Sequence, residues 1–549
     1  MFRDKTTVND EAKSTESTLS SQKDNSLTMP STSSNIITEE VQLLVNFIEK
    51  AATSYSEGNL ENALHFYEQA IMIDPGNNVL FANKSAILLK LGRIKEAIEE
   101  ASHSIQLKPE WPKAHFRKAE AFKEAKEFEK AIISYCQAIE ANSESQRFLN
   151  SLILCAQKSI IGEHFEAAYK QMKELGLEKS QFVTISVIGQ QFLSISDFQT
   201  AITILKIALN IDSPSLKLKE STLGALAKAY YEAKNFSKAI DYLELQLELV
   251  TQLKDIKTKI QVHENISEIA ETQKDYQLAL VHRDSQMRLC NQLGLAVASI
   301  NCSKASIYEK MNDYLSAKEC YKLALTENTE SYDANFGIGN ILFKKNDISD
   351  AIIAFIKAQE VAPSQDYRQL ALIRICQCKI ILGQTDEAIN LLKTNLKTEK
   401  LLNPHILGNV LGIMCRAAEA SDDIITFYRM AKRQLKLAID TNNNLLKSEA
   451  FFSLSKFYER TNQRSNAKRL LELYLEITEN LEINHQPEQQ ILALSRLGKI
   501  EFESGNWEIS ISITQKRLNL TKNIKNIEME ANAHANLISI YRKMANMVR

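Results

Sequence analysis

Apolar residues recur along this chain every three or four positions, in stretches separated by short polar breaks. The segment AIDYLELQLELVTQLKD, residues 239–255, keeps this spacing over several turns, as the buried face of a helix does. The chain holds 15 glycines and 8 prolines, whereas average usage gives about 38 and about 27 for this length. So few turn residues argue against a fold of many β-hairpins. The pattern predicts an all-α protein of helices joined by short loops.

Three consecutive segments repeat one pattern: NLENALHFYEQAIMIDP, RIKEAIEEASHSIQLKP and EFEKAIISYCQAIEANS. Each is anchored by an alanine, and successive anchors are 34 residues apart: Ala63, Ala97 and Ala131. A small residue follows each anchor by seven positions: Ala70, Ser104 and Ala138. Because small residues at a crossing let two helices approach closely, each repeat predicts a pair of antiparallel helices.

This period and these positions resemble the tetratricopeptide repeat (TPR) family. Later anchors follow at Ala167, Ala201, Ala239, Ala279, Ala317, Ala351, Ala388 and Ala467, with worn copies near 422–437 and 506–520. The spacing rises to 38–40 residues between Ala201 and Ala317, which predicts longer helices and loops in that region. The resemblance implies a right-handed superhelical solenoid of about twelve helix-turn-helix units.

The repeats divide the chain into four parts. Residues 1–39 are rich in Ser, Thr and Asn and predict a disordered tail. Residues 40–145 hold the three 34-residue units, 146–212 hold degenerate connecting units, and 213–549 hold longer units of 34–43 residues. The last helical pattern, ANAHANLISIYRKMANMVR, has no second helix after it. We expect that it either caps the array or belongs to a longer protein, and an uncapped helix would favour self-association.

Charge and chemistry give no sign of an active site. The formal net charge is −2, which predicts no general attraction to nucleic acid or membranes. The eight cysteines form no CxxC pair and the nine histidines form no cluster, so we expect no metal site, no cofactor and a reducing compartment. The stretch NFGIGN, residues 335–340, lacks the third glycine of a nucleotide-binding loop, and Gly339 lies twelve residues before Ala351, at a predicted helix crossing. We therefore expect a protein that is not an enzyme.

Three stretches go beyond the general repeat: EWPKAHFRKAEAF (110–122), KSQFVTISVIGQQFL (179–193) and SPSLKLKESTLGALAKAYY (213–231). Over roughly residues 40–320 the chain resembles the N-terminal region of a very large animal scaffold of the TPR family, which is associated with the spindle midzone and the midbody. The resemblance implies a cytoplasmic, cytoskeletal or spindle-associated scaffold that acts in cell division. Its partners would be proteins or peptides.

The first three units also resemble the three-repeat domains of heat-shock co-chaperones, which hold the acidic EEVD tail of a chaperone. Those domains use five side chains on the first helices of their units, and three match here: Asn83, Lys113 and Arg117. The resemblance implies that this amide and these cations bind the carboxylates of an acidic C-terminal peptide. Ile48 and Ala52 stand where the other Lys and Asn belong, so we expect a partial carboxylate clamp. The alternative is an ordinary solvated face.

Asparagines recur on the predicted first helices of later units: Asn265, Asn301 and Asn340. Such amides suit the backbone of an extended partner peptide, and the alternative for each is an ordinary polar position. We predict a non-enzymatic scaffold that binds partner segments in the concave groove of the solenoid. Two rivals stay open: a chaperone adaptor that uses residues 40–145, and an enzyme whose site the sequence does not reveal.

Overall fold

The structure of the protein is a computed structural model that describes residues 31–142, 145–396, 403–480, 487–524 and 526–548. These residues form 27 α-helices and no strand. The predicted all-α repeat solenoid is therefore confirmed. The chain divides into two compact units, Met1–Leu289 and Cys290–Arg549.

The helices of the first unit are α1 (Ser31–Ser56), α2 (Leu60–Ile73), α3 (Asn78–Lys90), α4 (Ile94–Leu107), α5 (Pro112–Glu124), α6 (Phe128–Ala141), α7 (Gln146–Lys158), α8 (Gly162–Glu174), α9 (Gln181–Ser194), α10 (Phe198–Asn210), α11 (Leu216–Glu232), α12 (Phe236–Leu253), α13 (Ile256–Thr272) and most of α14 (Tyr276–Gln292).

The helices of the second unit are α15 (Ala298–Lys310), α16 (Tyr314–Glu327), α17 (Tyr332–Lys344), α18 (Ile348–Glu360), α19 (Gln365–Ile381), α20 (Thr385–Leu396), α21 (Pro404–Ala420), α22 (Ile424–Asp440), α23 (Asn444–Arg460), α24 (Arg464–Asn480), α25 (Pro487–Glu503), α26 (Trp507–Asn523) and α27 (Ile527–Val548).

Consecutive helices pack in pairs, from α1 with α2 to α25 with α26. In the part of the chain that the structure describes there are thirteen pairs followed by α27, where the sequence predicts about twelve units. Helices α2 to α6 have 13 or 14 residues, whereas α11 to α14 have 17 or 18. The prediction that the longer spacing lengthens the helices is therefore confirmed.

The anchor alanines lie where the two helices of a pair cross. Ala63, Ala97 and Ala131 have no exposed surface. Ser85 Oγ on α3 donates to the carbonyl oxygen of Ala97 on α4 at 2.7 Å. A larger anchor would separate the helices and break this contact, which is why the position stays small.

The predicted disordered tail is wrong for residues 31–39, because α1 begins at Ser31. The stretch from 31 to 56 contains no glycine or proline. Once the apolar part of α1 packs on α2, each further residue adds a helical hydrogen bond at little cost. Residues 1–30 lie outside the described residues, so for them the tail stays a prediction.

Candidate functional site

The first helices of neighbouring pairs lie side by side. In the first unit α3 contacts α5, α7 contacts α9, and α9 contacts α11. In the second unit α15 contacts α17, α19 contacts α21, and α21 contacts α23. Side chains on these neighbouring first helices therefore share a surface, which is the arrangement that an extended partner segment requires.

The structure brings the three predicted clamp residues onto two adjacent helices. Asn83 lies half-buried on α3, and its Nδ2 donates to Tyr67 Oη at 3.4 Å. Lys113 is exposed and Arg117 is half-buried, one turn apart on α5. Pro112 is the first residue of α5, where its missing N–H group costs no hydrogen bond. An amide and two cations thus share one surface of the first three pairs.

Other charges near this surface are held in ion pairs. Lys84 Nζ lies 2.9 Å from Glu100 Oε1 and 3.5 Å from Glu68 Oε1. Glu120 accepts hydrogen bonds from Lys123, at 2.6 Å, and from the Tyr135 hydroxyl. The carboxylates of Glu68, Glu100 and Glu120 thus all contact neighbouring side chains.

The first pair closes this surface with apolar atoms. Ile48 on α1 packs against the hydrophobic core of the first two pairs, and Ala52 is half-buried beside it. Neither side chain can donate a hydrogen bond. Polar groups thus lie on α3 and α5 and apolar side chains lie on α1, and the partial clamp stays a prediction.

The three groove asparagines lie in different environments. Asn265 on α13 is half-buried, and its Oδ1 accepts from Gln261 Nε2 at 3.2 Å. Asn301 on α15 is only 6% exposed. Asn340 on α17 is half-buried, and its Oδ1 lacks a hydrogen-bond donor. Burial makes Asn301 the least suited of the three to contact a partner, and the groove role of all three stays a prediction.

A common register becomes visible when the helices are aligned on their crossing residues. The position fourteen residues before the anchor carries an amide or a guanidinium in five pairs: Asn83, Arg117, Asn265, Arg374 and Arg496. Arg374 lies half-buried on α19, where burial lowers its pKa, and its Nη1 donates to Gln377 Oε1 at 3.1 Å. Sequence analysis missed Arg374 and Arg496. Counting back fourteen residues finds Arg374 from the anchor Ala388 and Arg496 from Ser510, which holds the anchor position on α26.

A buried pair of histidines joins α13 to α14 in the first unit. His263 Nδ1 on α13 lies 3.0 Å from His282 Nδ1 on α14. Burial, with His282 and Lys259 nearby, lowers the pKa of His263 to about 4. The described residues contain no group of three or more His, Cys, Asp or Glu side chains that could hold a metal ion. The pair is therefore a neutral hydrogen-bonded contact between two helices.

Two further properties bear on partners. None of the helices in the described ranges is both long and apolar enough to cross a membrane. All eight cysteines carry free thiols, and burial raises the pKa of Cys136, Cys155, Cys376 and Cys415 above its ordinary value. Buried thiols of this kind are poor nucleophiles.

Models of the tetratricopeptide repeat match five segments of the chain: residues 47–77, 112–145, 222–257, 298–330 and 332–365. Each segment covers one helix pair of the structure: α1/α2, α5/α6, α11/α12, α15/α16 and α17/α18. The repeat resemblance drawn from the anchor alanines is confirmed.

Two curated relatives show how far the likeness extends. Human tetratricopeptide repeat protein 28 is 30% identical over 223 residues, which are 40% of this chain and 9% of that protein. The resemblance of the sequence to this TPR protein is confirmed. The Hsp70-Hsp90 organising protein of Plasmodium falciparum is 31% identical over 114 residues, 21% of this chain and 44% of that protein. The chain thus spans less than half of either relative.

Among solved structures, the crystal structure of yeast Tom70 is similar over 92% of this chain and 97% of its own, with 15% identity and a TM-score of 0.40. The assignment of the repeats rests on the family models and the helix pairs.

Proposed function

We propose that this chain, whose helix pairs carry tetratricopeptide repeats, is a non-enzymatic scaffold that binds segments of partner proteins along its first helices. The observation that carries the proposal is that first helices of neighbouring pairs contact one another, and that first helices carry amides and guanidinium groups in one register. Amide groups pair with the backbone of an extended peptide, and guanidinium groups pair with its carboxylates. Binding spread over several repeats needs no covalent chemistry and no cofactor.

The test is site-specific cross-linking with a photoreactive amino acid. The probe replaces Ser303 on the first helix α15 in one variant and Leu323, exposed on the second helix α16, in the matched control. We expect a partner to be cross-linked from position 303 and not from position 323, and the purified partner to bind the full chain directly. Equal cross-linking from both positions would contradict binding along the first helices.

A second candidate function is that of a chaperone adaptor, which binds an acidic C-terminal peptide through residues 40–145. Its support is the placement of Asn83, Lys113 and Arg117 on adjacent first helices, together with the likeness to an Hsp70-Hsp90 organising protein. Segment 78–122 also holds eight Lys or Arg against five Asp or Glu, which favours an anionic peptide. The apolar wall of Ile48 and Ala52 weighs against a tight complex.

Fluorescence anisotropy with a labelled EEVD-ending peptide and the full chain tests this candidate. If the partial clamp works, binding at near-physiological salt is lost in Lys113→Ala/Arg117→Ala and with a C-terminally amidated peptide. Lys130→Ala is the matched control, because Lys130 is exposed on the second helix α6 and pairs with Glu127. No binding, or equal loss in the Lys130 variant, would reject the adaptor.

The likeness to human tetratricopeptide repeat protein 28 supports a narrower proposal, in which the scaffold acts at the spindle midzone during cell division. A fluorescently tagged full chain should then concentrate between separating chromosomes. A uniform distribution through the dividing cell would reject this role and leave the general scaffold proposal untouched.

A further inference from the structure

A cavity of about 440 Å³ lies among the last three helices of the second unit. Helices α25, α26 and α27 each contribute to its wall. Its polar lining includes the hydroxyls of Thr514 and Ser539, the amide of Asn536 and the cations of Arg496 and Arg517. The cavity is therefore lined with hydrogen-bond donors, several of them charged.

Arg517 is buried in this wall without enough partners. The residue is 7% exposed, and its Nε and Nη1 atoms are buried with no hydrogen-bond acceptor. Burial lowers its pKa, yet a guanidinium keeps its charge in proteins. A buried cation with two unpaired donors is a costly arrangement, and an anion in the cavity would relieve it.

The terminal nitrogens of Arg496 also lack hydrogen-bond acceptors. Its Nε lies 3.0 Å from both carboxylate oxygens of Glu459 on α23. Its Nη1 and Nη2 atoms are buried and have no acceptor. The ion pair with Glu459 thus fixes the side chain, and its two terminal nitrogens lack the acceptors that an anion would supply.

The charges that line the cavity sum to an excess of positive charge. Besides the two arginines, Lys499 and Glu503 line it, 3.9 Å apart, so the lining holds three cations and one carboxylate. Glu503 also pairs with Arg464 at 3.2 Å. Lining charge alone therefore favours an anionic occupant.

The repeat pattern marks Arg517 as an exception. It stands seven residues after the crossing residue Ser510, the position that is Ala70, Ser104 and Ala138 in the first three pairs. In two other pairs this position is a buried glutamine with a carboxylate partner: Gln246 Nε2 lies 2.5 Å from Glu220, and Gln434 Nε2 lies 3.2 Å from Glu449. No such carboxylate serves Nε or Nη1 of Arg517.

We propose that this cavity binds an oxyanion group carried by a peptide, a carboxylate or phosphoryl side chain, between Arg496 and Arg517. Planar guanidinium forks match the paired oxygens of both groups, and the Ser539 hydroxyl and the Asn536 amide of the wall complete their coordination. This site would give the proposed scaffold a second binding location. The proposal rests on the scaffold function only in assuming that the ligand is a peptide. It does not involve the α3 and α5 surface.

Isothermal titration calorimetry on the full chain tests the site with four probes. These are inorganic phosphate and three short capped glycine peptides that carry phosphoserine, glutamate or serine at the centre. We expect inorganic phosphate and at least one acidic peptide to bind, and the serine peptide not to bind. The preference between phosphoserine and glutamate then identifies the oxyanion.

Variants locate the binding. Arg517→Gln installs the residue found in the α12 and α22 helices, and Arg496→Gln removes the second cation. Each should weaken binding at least tenfold, whereas Arg460→Gln, which changes a partly exposed arginine paired with Asp422, should not. If the acidic probes bind all three variants as well as the unchanged chain, or if no probe binds, the site is rejected.

Thermal unfolding separates a ligand site from a structural role. With a ligand site, phosphate raises the unfolding temperature of the unchanged chain but not that of Arg517→Gln, and without phosphate Arg517→Gln is at least as stable as the unchanged chain. A strongly destabilised Arg517→Gln would show that Arg517 is structural and overturn the proposal. Binding of phosphate without either acidic peptide would overturn the peptide ligand while the first-helix scaffold keeps its own cross-linking test.

Discussion

At the scale of single residues, glycines on α17 mark where two helices cross with no room for a side chain. A Cβ atom on Gly337 would lie 2.2 Å from the ring of Tyr321, and one on Gly339 would lie 2.6 Å from the ring of Phe355. Both rings are buried, and the Tyr321 hydroxyl donates to Glu309 at 2.8 Å. The glycines of NFGIGN therefore serve helix packing, as predicted for Gly339.

Gly337→Ala should destabilise the second unit. Alanine gains ~1 kcal/mol in helix propensity over glycine, but displacing a buried ring costs ~1–3 kcal/mol. Gly498→Ala on α25 is the matched control, since its Cβ would meet no atom closer than 3.5 Å. Urea unfolding followed by circular dichroism should show a lower midpoint for Gly337→Ala and an equal or higher one for Gly498→Ala. Equal midpoints would contradict the packing argument.

The histidine pair predicts a pH dependence of stability. Unfolded histidine has a pKa of about 6.5, whereas His263 in the folded chain has a pKa of about 4. Between these values the unfolded state binds a proton that the folded state does not, so the free energy of unfolding falls as the pH falls from about 6.5 toward 4. The slope is at most ~1.4 kcal/mol per pH unit for each histidine.

Thermal unfolding at pH 7 and pH 5.5 measures this effect. The double variant His263→Gln/His282→Gln should lose less stability over this interval than the unchanged chain. His164→Gln is the control, because His164 is exposed. An identical pH response of the double variant and the unchanged chain would show that the pair carries no linked proton.

The residue scale also separates what the sequence predicted from what it did not. Anchor alanines 34 residues apart predicted the helix crossings, because a crossing that requires a small buried side chain recurs at the same position in each repeat. Asn83, Lys113 and Arg117 were found from a known pattern and lie on two adjacent helices, and their role in a clamp stays a prediction. Arg517 was not singled out, although a cation at a small-residue position is visible in the sequence. The sequence could not show that two nitrogens of Arg517 lack hydrogen-bond acceptors, because this follows from how three helices pack around the side chain.

At the scale of the helix, the N-terminal caps of second helices decide local stability. Asp313 precedes α16, and its Oδ1 accepts from the Ser316 N–H at 3.2 Å, which together with the Ser316 hydroxyl lowers its pKa. Asp347 precedes α18 in the same register but makes no side-chain cap bond. The two aspartates therefore form a natural comparison within the second unit.

Asp313→Ala should cost ~0.5–2 kcal/mol, the usual loss when a capping side chain is removed. Asp347→Ala should cost less, because no capping bond is lost. Thermal unfolding monitored by circular dichroism gives both values, and protection of the α16 amides from hydrogen exchange gives the local effect. The argument is wrong if the two variants lose equal stability.

Helix ends explain why the sequence is so poor in glycine. The second residue after a helix adopts a left-handed conformation at Gly58 and Gly92, yet Lys126, Lys234 and Asn346 adopt it as well. Lysine and asparagine at these positions give no turn signal in a composition count. Helix number and pairing were therefore predictable from apolar spacing, whereas the start of α1 at Ser31 was not, since a polar segment can continue a helix that packing has already formed.

At the scale of the whole molecule, helices pack mainly on their neighbours in sequence. In the first unit α9 contacts α7, α8, α10 and α11, and no substantial contact links it to α1, α2 or α3. The stability of such an array is close to a sum over repeats and their interfaces. A local defect should therefore loosen the pairs beside it and leave distant pairs of the same unit unchanged.

Gly189→Ala tests this locality within the first unit. A Cβ atom on Gly189 of α9 would lie 2.7 Å from Cγ and Cδ2 of Leu205 on α10. Hydrogen-exchange mass spectrometry should show faster exchange in peptides from α7 to α11 and unchanged exchange in peptides from α1 to α3. Faster exchange throughout the unit would mean that the unit opens as one cooperative block. Local opening would instead let a partner bind or leave a few repeats at a time, which suits a scaffold that holds several segments along one row of helices.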